Sequence, residues 1–578
     1  MNPPSPLIVL RDAARAEWLY FENPLEIISV SRLDEVVPAL RCVEQLVEQN
    51  GWYAAGFISY EAAPAFDPAF ITRAPADFPL LWFGLYPAPR TSHALPPTDE
   101  SFTLETWTPS VTRSAYGAAI DQIKQRIAGG ETYQVNYTFR LHSRLMGNPW
   151  ALFSTMLQTQ PVEYPAFIDI GSHVICCASP ELFFALDGQN VTCRPMKGTA
   201  RRGRTLAEDE AQAAALHASA KERAENVMIV DMLRNDLGRI ARIGSVQVPA
   251  LFQTERYRTL WQMTSTVTAQ VAAPFTDLMA ALFPCASITG APKVRTMSII
   301  TALEDTPRGL YTGTIGFLAP GRRAQFNVAI RTAVIDRAKQ VEYGVGSGVI
   351  WDSTSVDEYA ESLLKAQAIT AHQPEFSLLE TLRWTRPEGW FLHERHLSRL
   401  RDSATYFGFP FDEAMLEARL AALAKTFSGP QRVRLLLQPD GTLKDEAFDL
   451  PQSAAKPIRA RLALTPVDDA DVFLFHKTTR RNIYEQARAA QPDADDVLLY
   501  NQRGELTEFT IGNLVVELDG ALVTPPVTGG LLPGTFRADL LAQGIIQERI
   551  LRREDLPRCT RLFLVNSVRG WQPVELQD

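Results

Sequence analysis

The chain has 578 residues, more than one hydrophobic core sustains, so two or more domains are expected. Its 46% hydrophobic and 21% charged residues are ordinary for a globular protein, and a net charge of −9 with no long basic run argues against nucleic acid or an anionic membrane as main partners. No apolar run is long enough to span a bilayer, the opening Met-Asn-Pro-Pro-Ser-Pro lacks a leader pattern, and the six cysteines show no metal-ligand spacing, so a cytoplasmic protein with buried thiols at Cys176 and Cys177 is expected.

In chain order, apolar residues at helical spacing predict helices over 116–128, 208–233, 287–302 and 356–371. Strand-like runs occupy 166–175, 182–186 and 328–335. The pattern breaks in the Pro-containing stretch at 371–376, which divides the chain into residues 1–372 and 373–578. A strand over 376–384 opens the second part. A Pro/Ala/Ser stretch at 450–457 splits that part into a small lobe, 376–450, and a larger one, 458–578. Both parts read as α+β.

Two pairs of acids stand three apart on helical segments, Glu222 with Glu225 and Glu358 with Glu361, so each pair shares one helix face. Facing each other they would make an oxygen-rich site suited to Mg²⁺, although a solvated helix face shows the same spacing. Thr289, Gly290 and Lys293 lie in Thr-Gly-Ala-Pro-Lys, a small-residue turn entering a helix, where backbone N–H groups and the helix dipole favour a carboxylate. Arg331 is a cation among strand residues and needs an anionic partner. Gly346, Ser347 and Gly348 let a backbone approach a ligand closely.

The ordered set Gly130–Asn136, Ser179–Glu181, Pro195–Thr199, Glu225–Leu237, Thr289–Lys293, Ile330–Thr332 and Gly346–Gly348 resembles the chorismate-utilising enzymes over roughly residues 1–370. The resemblance implies large antiparallel sheets flanked by helices. Lys197 points to the aminodeoxychorismate synthase component I branch, because anthranilate synthases carry Ala there. It implies that a neutral Lys197 attacks C2 of chorismate and expels the C4 hydroxyl, and that ammonia then adds at C4 and displaces the lysine. Glu181 matches the general acid. Glu225 and Glu361 match the Mg²⁺ ligands, with Glu222 and Glu358 in support, and Arg331 and the Gly346–Gly348 turn would hold carboxylates. Gln262 stands where anthranilate synthases have His. No glutaminase nucleophile turn is present, so ammonia would come from a separate glutamine amidotransferase subunit or from solution.

In the second part, Lys477 follows a strand-like run, Glu508 precedes the strand at 514–518, and the turn at 531–537 enters a helix. An acid against a pyridinium nitrogen keeps a pyridoxal ring an electron sink, and the turn suits a phosphate. With Arg399, this set resembles the fold type IV pyridoxal 5'-phosphate enzymes, a two-lobed fold. The resemblance implies Lys477 as the Schiff-base lysine, Glu508 as the ring-nitrogen partner, and Arg399, Gly534, Thr535 and Ser567 as the phosphate cup. Arg481, four after the lysine, matches the lyase pattern, whereas Asn482 and Phe536 depart from the aminotransferases. Such relatives often dimerise, so a homodimer through this part is expected.

The expectation is a bifunctional enzyme making 4-aminobenzoate from chorismate, a folate precursor. Its rivals are an anthranilate or isochorismate synthase with an aminotransferase-like tail, a catalytically dead second part that docks the amidotransferase, and an amino-acid transaminase fused by chance.

Overall fold

The structure is a computed structural model that describes residues 6–370, 375–450 and 456–577. The expected boundary at 372/373 and most of the 450–457 stretch lie outside the described residues. The chain forms two compact units: Met1–Arg201 with Ala213–Gln373, and Arg202–Gln212 with Pro374–Asp578. Both mix helices with mainly antiparallel sheet, as an α+β reading requires.

The first unit holds an 11-stranded and a 10-stranded sheet. Their central strands bury both faces. Ile8 and Leu10 pack with Phe57, Trp82 and Phe317 of the other sheet, while Val9 between them faces a second core with Tyr116 and Phe153. In the larger sheet the long strand Gln134–Gly147 pairs antiparallel with Gln340–Val349, setting Gly346 opposite Thr138 and Gly348 opposite Asn136. In the other, Met196–Arg201 pairs with Leu260–Gln270. Cys176 and Cys177 are buried free thiols.

Four expected elements are divided or start late. The run at 166–175 is a hairpin of Tyr164–Asp169 and His173–Ser179, turned where Asp169 Oδ1 accepts the Gly171 N–H at 2.8 Å. The helix at 208–233 is two helices, Leu206–Ala218 and Ala220–Gly238, because Ser219 caps the second through Glu222 N at 3.3 Å. The helix at 287–302 begins only at Lys293, after a 3₁₀ turn and a short strand, Gly290–Ala291. The run at 328–335 breaks at Arg331, whose φ of 52° ends Arg323–Val328 before Thr332–Asp336 starts.

The second unit pairs a four-stranded sheet with an eight-stranded one. Leu378–Thr385 and Gln431–Leu437 alternate buried and half-buried residues, so Arg432 and Arg434 share one face while Val433 and Leu435 enter the core. The segment 202–212 belongs to this unit. Arg202 grips buried Asp209 through two bonds of 2.6 and 2.7 Å and donates to Tyr406 O at 2.9 Å, and Tyr406 OH donates back to Gly203 O at 2.7 Å. Among the described residues no helix is long and apolar enough to cross a membrane.

Candidate active sites

In the first unit one cleft gathers Glu181, Lys197, Glu222, Glu225, Glu358, Glu361, Arg331, Gly346 and Gly348. Lys197 comes from the strand Met196–Arg201, and Gln262 Nε2 fixes that strand by donating to Gly198 O at 2.9 Å. The glutamates come from two helices, Ala220–Gly238 and Ser355–Thr370. Gly198 lets the lysine strand approach the first of them, since a Cβ there would meet Glu222 Oε2 at 3.0 Å.

Glu181 is 2% exposed. Burial pushes its carboxyl up to about 7, although Ser287 Oγ donates to Oε1 at 2.6 Å and Met196 N at 3.4 Å. A carboxyl poised there still carries a proton near neutral pH and can donate it. Burial likewise raises Glu225 to about 7 and raises Glu222. For Glu361 burial acts upward too, but the Lys365 ammonium at 2.8 Å outweighs it and the carboxyl ends below its ordinary value. Lys365 also donates to Gly346 O at 3.0 Å.

The donor set fits a hard divalent cation. It is all carboxylate, Glu358 Oε2 is buried without a hydrogen-bond partner among the described residues, and Glu358 Oε1 is oriented by Ser353 Oγ at 2.6 Å. The four carboxylates are not drawn into a closed cluster. The one acidic group of three or more with ligand atoms within 4.8 Å among the described residues is His393, Glu394 and Glu417. Arg331 is 6% exposed, and its Nη1 has no hydrogen-bond partner among the described residues. Burial lowers its guanidinium from the ordinary value. A buried cation with an open N–H beside a cleft is suited to a ligand carboxylate.

Some expected residues stand elsewhere. Lys293 pairs with Asp236 at 2.7 Å and donates to Leu282 O at 2.9 Å, so its ammonium is turned away from the cleft. Thr289 Oγ1 is spent on Cys285 O, and Gly290 is pressed against Gln134 O. Ser347 Oγ shares a hydrogen bond with Tyr116 OH at 3.3 Å, on the far side of its strand from Gly346 and Gly348. The Thr289–Lys293 segment supports the cleft wall, with Ser287 and Ile288 just before it lining the cleft. Of the cations near Lys197 in sequence, Arg194 is committed to Glu163 and Glu255 and Arg202 to Asp209, while Arg201 is exposed. Sequence reasoning missed Lys221, Lys365, Tyr311 and Tyr343, all in the wall, and held Ser287 only as the first residue of the turn before Lys293. Only Lys365 carried a signal, its place four after Glu361 on a helix.

The second unit has its own pocket, lined by Lys477, Glu508, Arg399, Arg481, Gly534, Thr535 and Ser567. Burial, with Arg399 and Arg481 nearby, lowers the Lys477 amine to about 8. Burial raises Glu508 to about 7. Its Oε1 accepts from Tyr484 OH at 2.8 Å and Leu532 N at 3.1 Å, and its Oε2 from Asn513 Nδ2 at 3.1 Å. Gly534 opens the helix Thr535–Ala542 and must be glycine, because a Cβ would strike Asn513 Oδ1. Arg399 binds Glu380 through two bonds of 2.8 and 2.7 Å and donates to Pro533 O at 3.3 Å, which fixes it at that helix start. These residues fit pyridoxal phosphate: an amine, a fixed carboxyl for a ring nitrogen, and free N–H groups for a phosphate. Arg432, Arg434 and Arg569 also line the pocket and make it strongly cationic.

Residues 88–371 match the chorismate binding enzyme family, and residues 377–576 match the class IV amino-transferase family. Aminodeoxychorismate synthase component 1 of Bacillus subtilis is 40% identical over 291 residues, 50% of this chain and 61% of that protein. Anthranilate synthase component 1 of Methanothermobacter thermautotrophicus is 34% identical over 342 residues, 54% of this chain and 72% of that protein. The crystal structure of anthranilate synthase component I from Streptococcus pneumoniae shares the fold, with a TM-score of 0.54 at 24% identity over 64% of this chain and 93% of that one. The chain thus spans less than two thirds of the Bacillus relative.

Proposed function

The chain belongs to the chorismate-binding enzymes and ends in a class IV aminotransferase domain, and from that premise we propose that it makes 4-aminobenzoate from chorismate at two successive sites. The observation that carries the reading is Lys197 in one cleft with a buried Glu181 and four further glutamates.

In the first site Glu222, Glu225, Glu358 and Glu361 would hold Mg²⁺, which supplies positive charge for a ring carboxylate. Arg331 takes a carboxylate through its open N–H. The Lys197 amine forms a bond to C2 of chorismate. Both ring double bonds shift by one position, and the C4–O bond breaks. Glu181 gives its proton to the departing hydroxyl, which leaves as water. Ammonia then bonds at C4, the double bonds return, and the C2–N bond to Lys197 breaks. Chorismate and ammonia thus give aminodeoxychorismate and water.

In the second site Lys477, Glu508, Gly534, Thr535 and Ser567 would hold pyridoxal phosphate, which supplies an electron sink. Glu508 is the fixed carboxyl that would face the ring nitrogen. Lys477 would also serve as the base that takes the proton from C4 of the substrate. Loss of the enolpyruvyl group as pyruvate makes the ring aromatic. Arg432, Arg434 and Arg569 suit a substrate with two carboxylates. A glutamine amidotransferase subunit would deliver the ammonia, the second part would form a homodimer, and the protein would act in the cytoplasm within folate synthesis.

The test is to give the protein chorismate, Mg²⁺ and ammonium and identify the products. The expected products are 4-aminobenzoate and pyruvate. Lys197→Ala should give neither, and Lys477→Ala should lose cofactor absorbance and accumulate aminodeoxychorismate. Anthranilate as the product, or unchanged 4-aminobenzoate output from either variant, would refute the assignment.

A further inference from the structure

Gln134 opens the strand Gln134–Gly147 and is fully buried. Neither its Nε2 nor its Oε1 has a hydrogen-bond partner among the described residues. A buried amide with both ends open is costly, and few folded chains keep one without a use. The neighbouring strand shows what lies against it. A Cβ at Gly348 would run into Gln134 Nε2 and Lys197 Nζ together. The two nitrogens therefore flank the same small space, which stays open because residue 348 is glycine. No left-handed φ demands glycine at 348, so its lack of a side chain serves this approach.

We propose that Gln134 is a positioning residue for Lys197, an amide partner that serves the amine both before and after it loses its proton. Oε1 accepts from an ammonium. Turned by half a rotation, Nε2 donates to the lone pair of a neutral amine and holds it in place until the substrate arrives. A carboxylate here would bind the ammonium and withhold the lone pair. A hydrocarbon would leave a four-bond side chain free to swing, and Lys197 would lose the alignment that a near-attack geometry requires. The role rests on Lys197 being the nucleophile.

The test uses full-length Gln134→Met and Gln134→Glu, both close to glutamine in size. The readouts are kcat and KM for amination, and the Lys197–chorismate adduct trapped by acid quench without ammonia and weighed by mass spectrometry. Cofactor absorbance and lyase turnover on supplied aminodeoxychorismate report that the second unit is intact, and thermal unfolding reports on the first. Both variants are expected to lose about 100-fold in kcat with KM within about twofold, and to lose the trapped adduct. Wild-type kcat and adduct yield in the folded Glu variant would overturn the role, as would a raised KM at unchanged kcat. Should the Met variant fail to fold, the Glu variant decides alone. Lys197→Ala separates the two ideas. Full amination by that variant removes the nucleophile itself, whereas its inactivity beside active Gln134 variants removes only the positioning role.

Discussion

Glu181 shows how one side chain's surroundings prepare it for its work. It sits at the turn after His173–Ser179, where Ser179 Oγ donates to Val328 O at 2.6 Å, and burial holds its carboxyl near neutrality. An acid raised to about 7 is protonated below that pH and loses its proton above it. The rate of hydroxyl loss from chorismate, measured in single turnovers without ammonia, should therefore fall about tenfold per unit on the alkaline side. Glu181→Gln should abolish that limb together with most of the rate. Ser287 donates to the ionised form and so lowers the value, which means Ser287→Ala should move the limb to higher pH. A limb that stays in place in Ser287→Ala would deny the contact this effect.

Elements carry these groups in pairs. Glu222 and Glu225 reach the cleft because Ala220–Gly238 is a helix of its own, started by Ser219 and not continued from Leu206–Ala218. The preceding segment, 202–212, groups with the other unit, and the chain rejoins the first at Ala213, within Leu206–Ala218 and ahead of the break at Ser219. Ser219→Ala removes the cap on Glu222 N and should cost about 1 kcal/mol of stability, read as a lower melting temperature of the first unit. Because Glu222 is the residue whose N–H is capped, the Mg²⁺ concentration giving half-maximal activity should also rise. The spacing of the two acids was legible without the structure, since three residues on a helix share a face whatever surrounds them. The helix start was not, because Leu206–Leu233 keeps helical composition across the break.

For the whole molecule, the second unit is discontinuous in sequence. Asp209 is buried, accepts from Arg202 and from Gly203 N at 2.9 Å, and so ties the segment to Tyr406. His476, next to Lys477, meets Arg204 O at 3.1 Å through Nε2 and Ser403 Oγ at 2.9 Å through Nδ1. Asp209→Asn leaves Arg202 without its charge partner and should destabilise the second unit by about 3–5 kcal/mol. Cofactor absorbance followed through thermal unfolding would register this, while amination at the first site continues. An unshifted transition would show that the segment is dispensable.

Residue chemistry and spacing alone determined much about this protein. Spacing paired the glutamates and singled out Arg331 and Gly346–Gly348, because helical periodicity and charge are local properties written in neighbouring residues, whereas Lys197, Lys477 and Glu181 took their expected roles from the resemblance of their motifs to two known families. Spacing also gave the α+β character of both parts. Only the tertiary structure decided which candidates meet. It turned Lys293 to Asp236, tied Ser347 to Tyr116, brought Lys365 and Ser287 into the wall, and set Gln134 and Lys197 around the space at Gly348. Those outcomes depend on pairing between strands some two hundred residues apart, as Gln134–Gly147 pairs with Gln340–Val349. A buried group takes the partner that such pairing brings to it, and no local pattern encodes that partner.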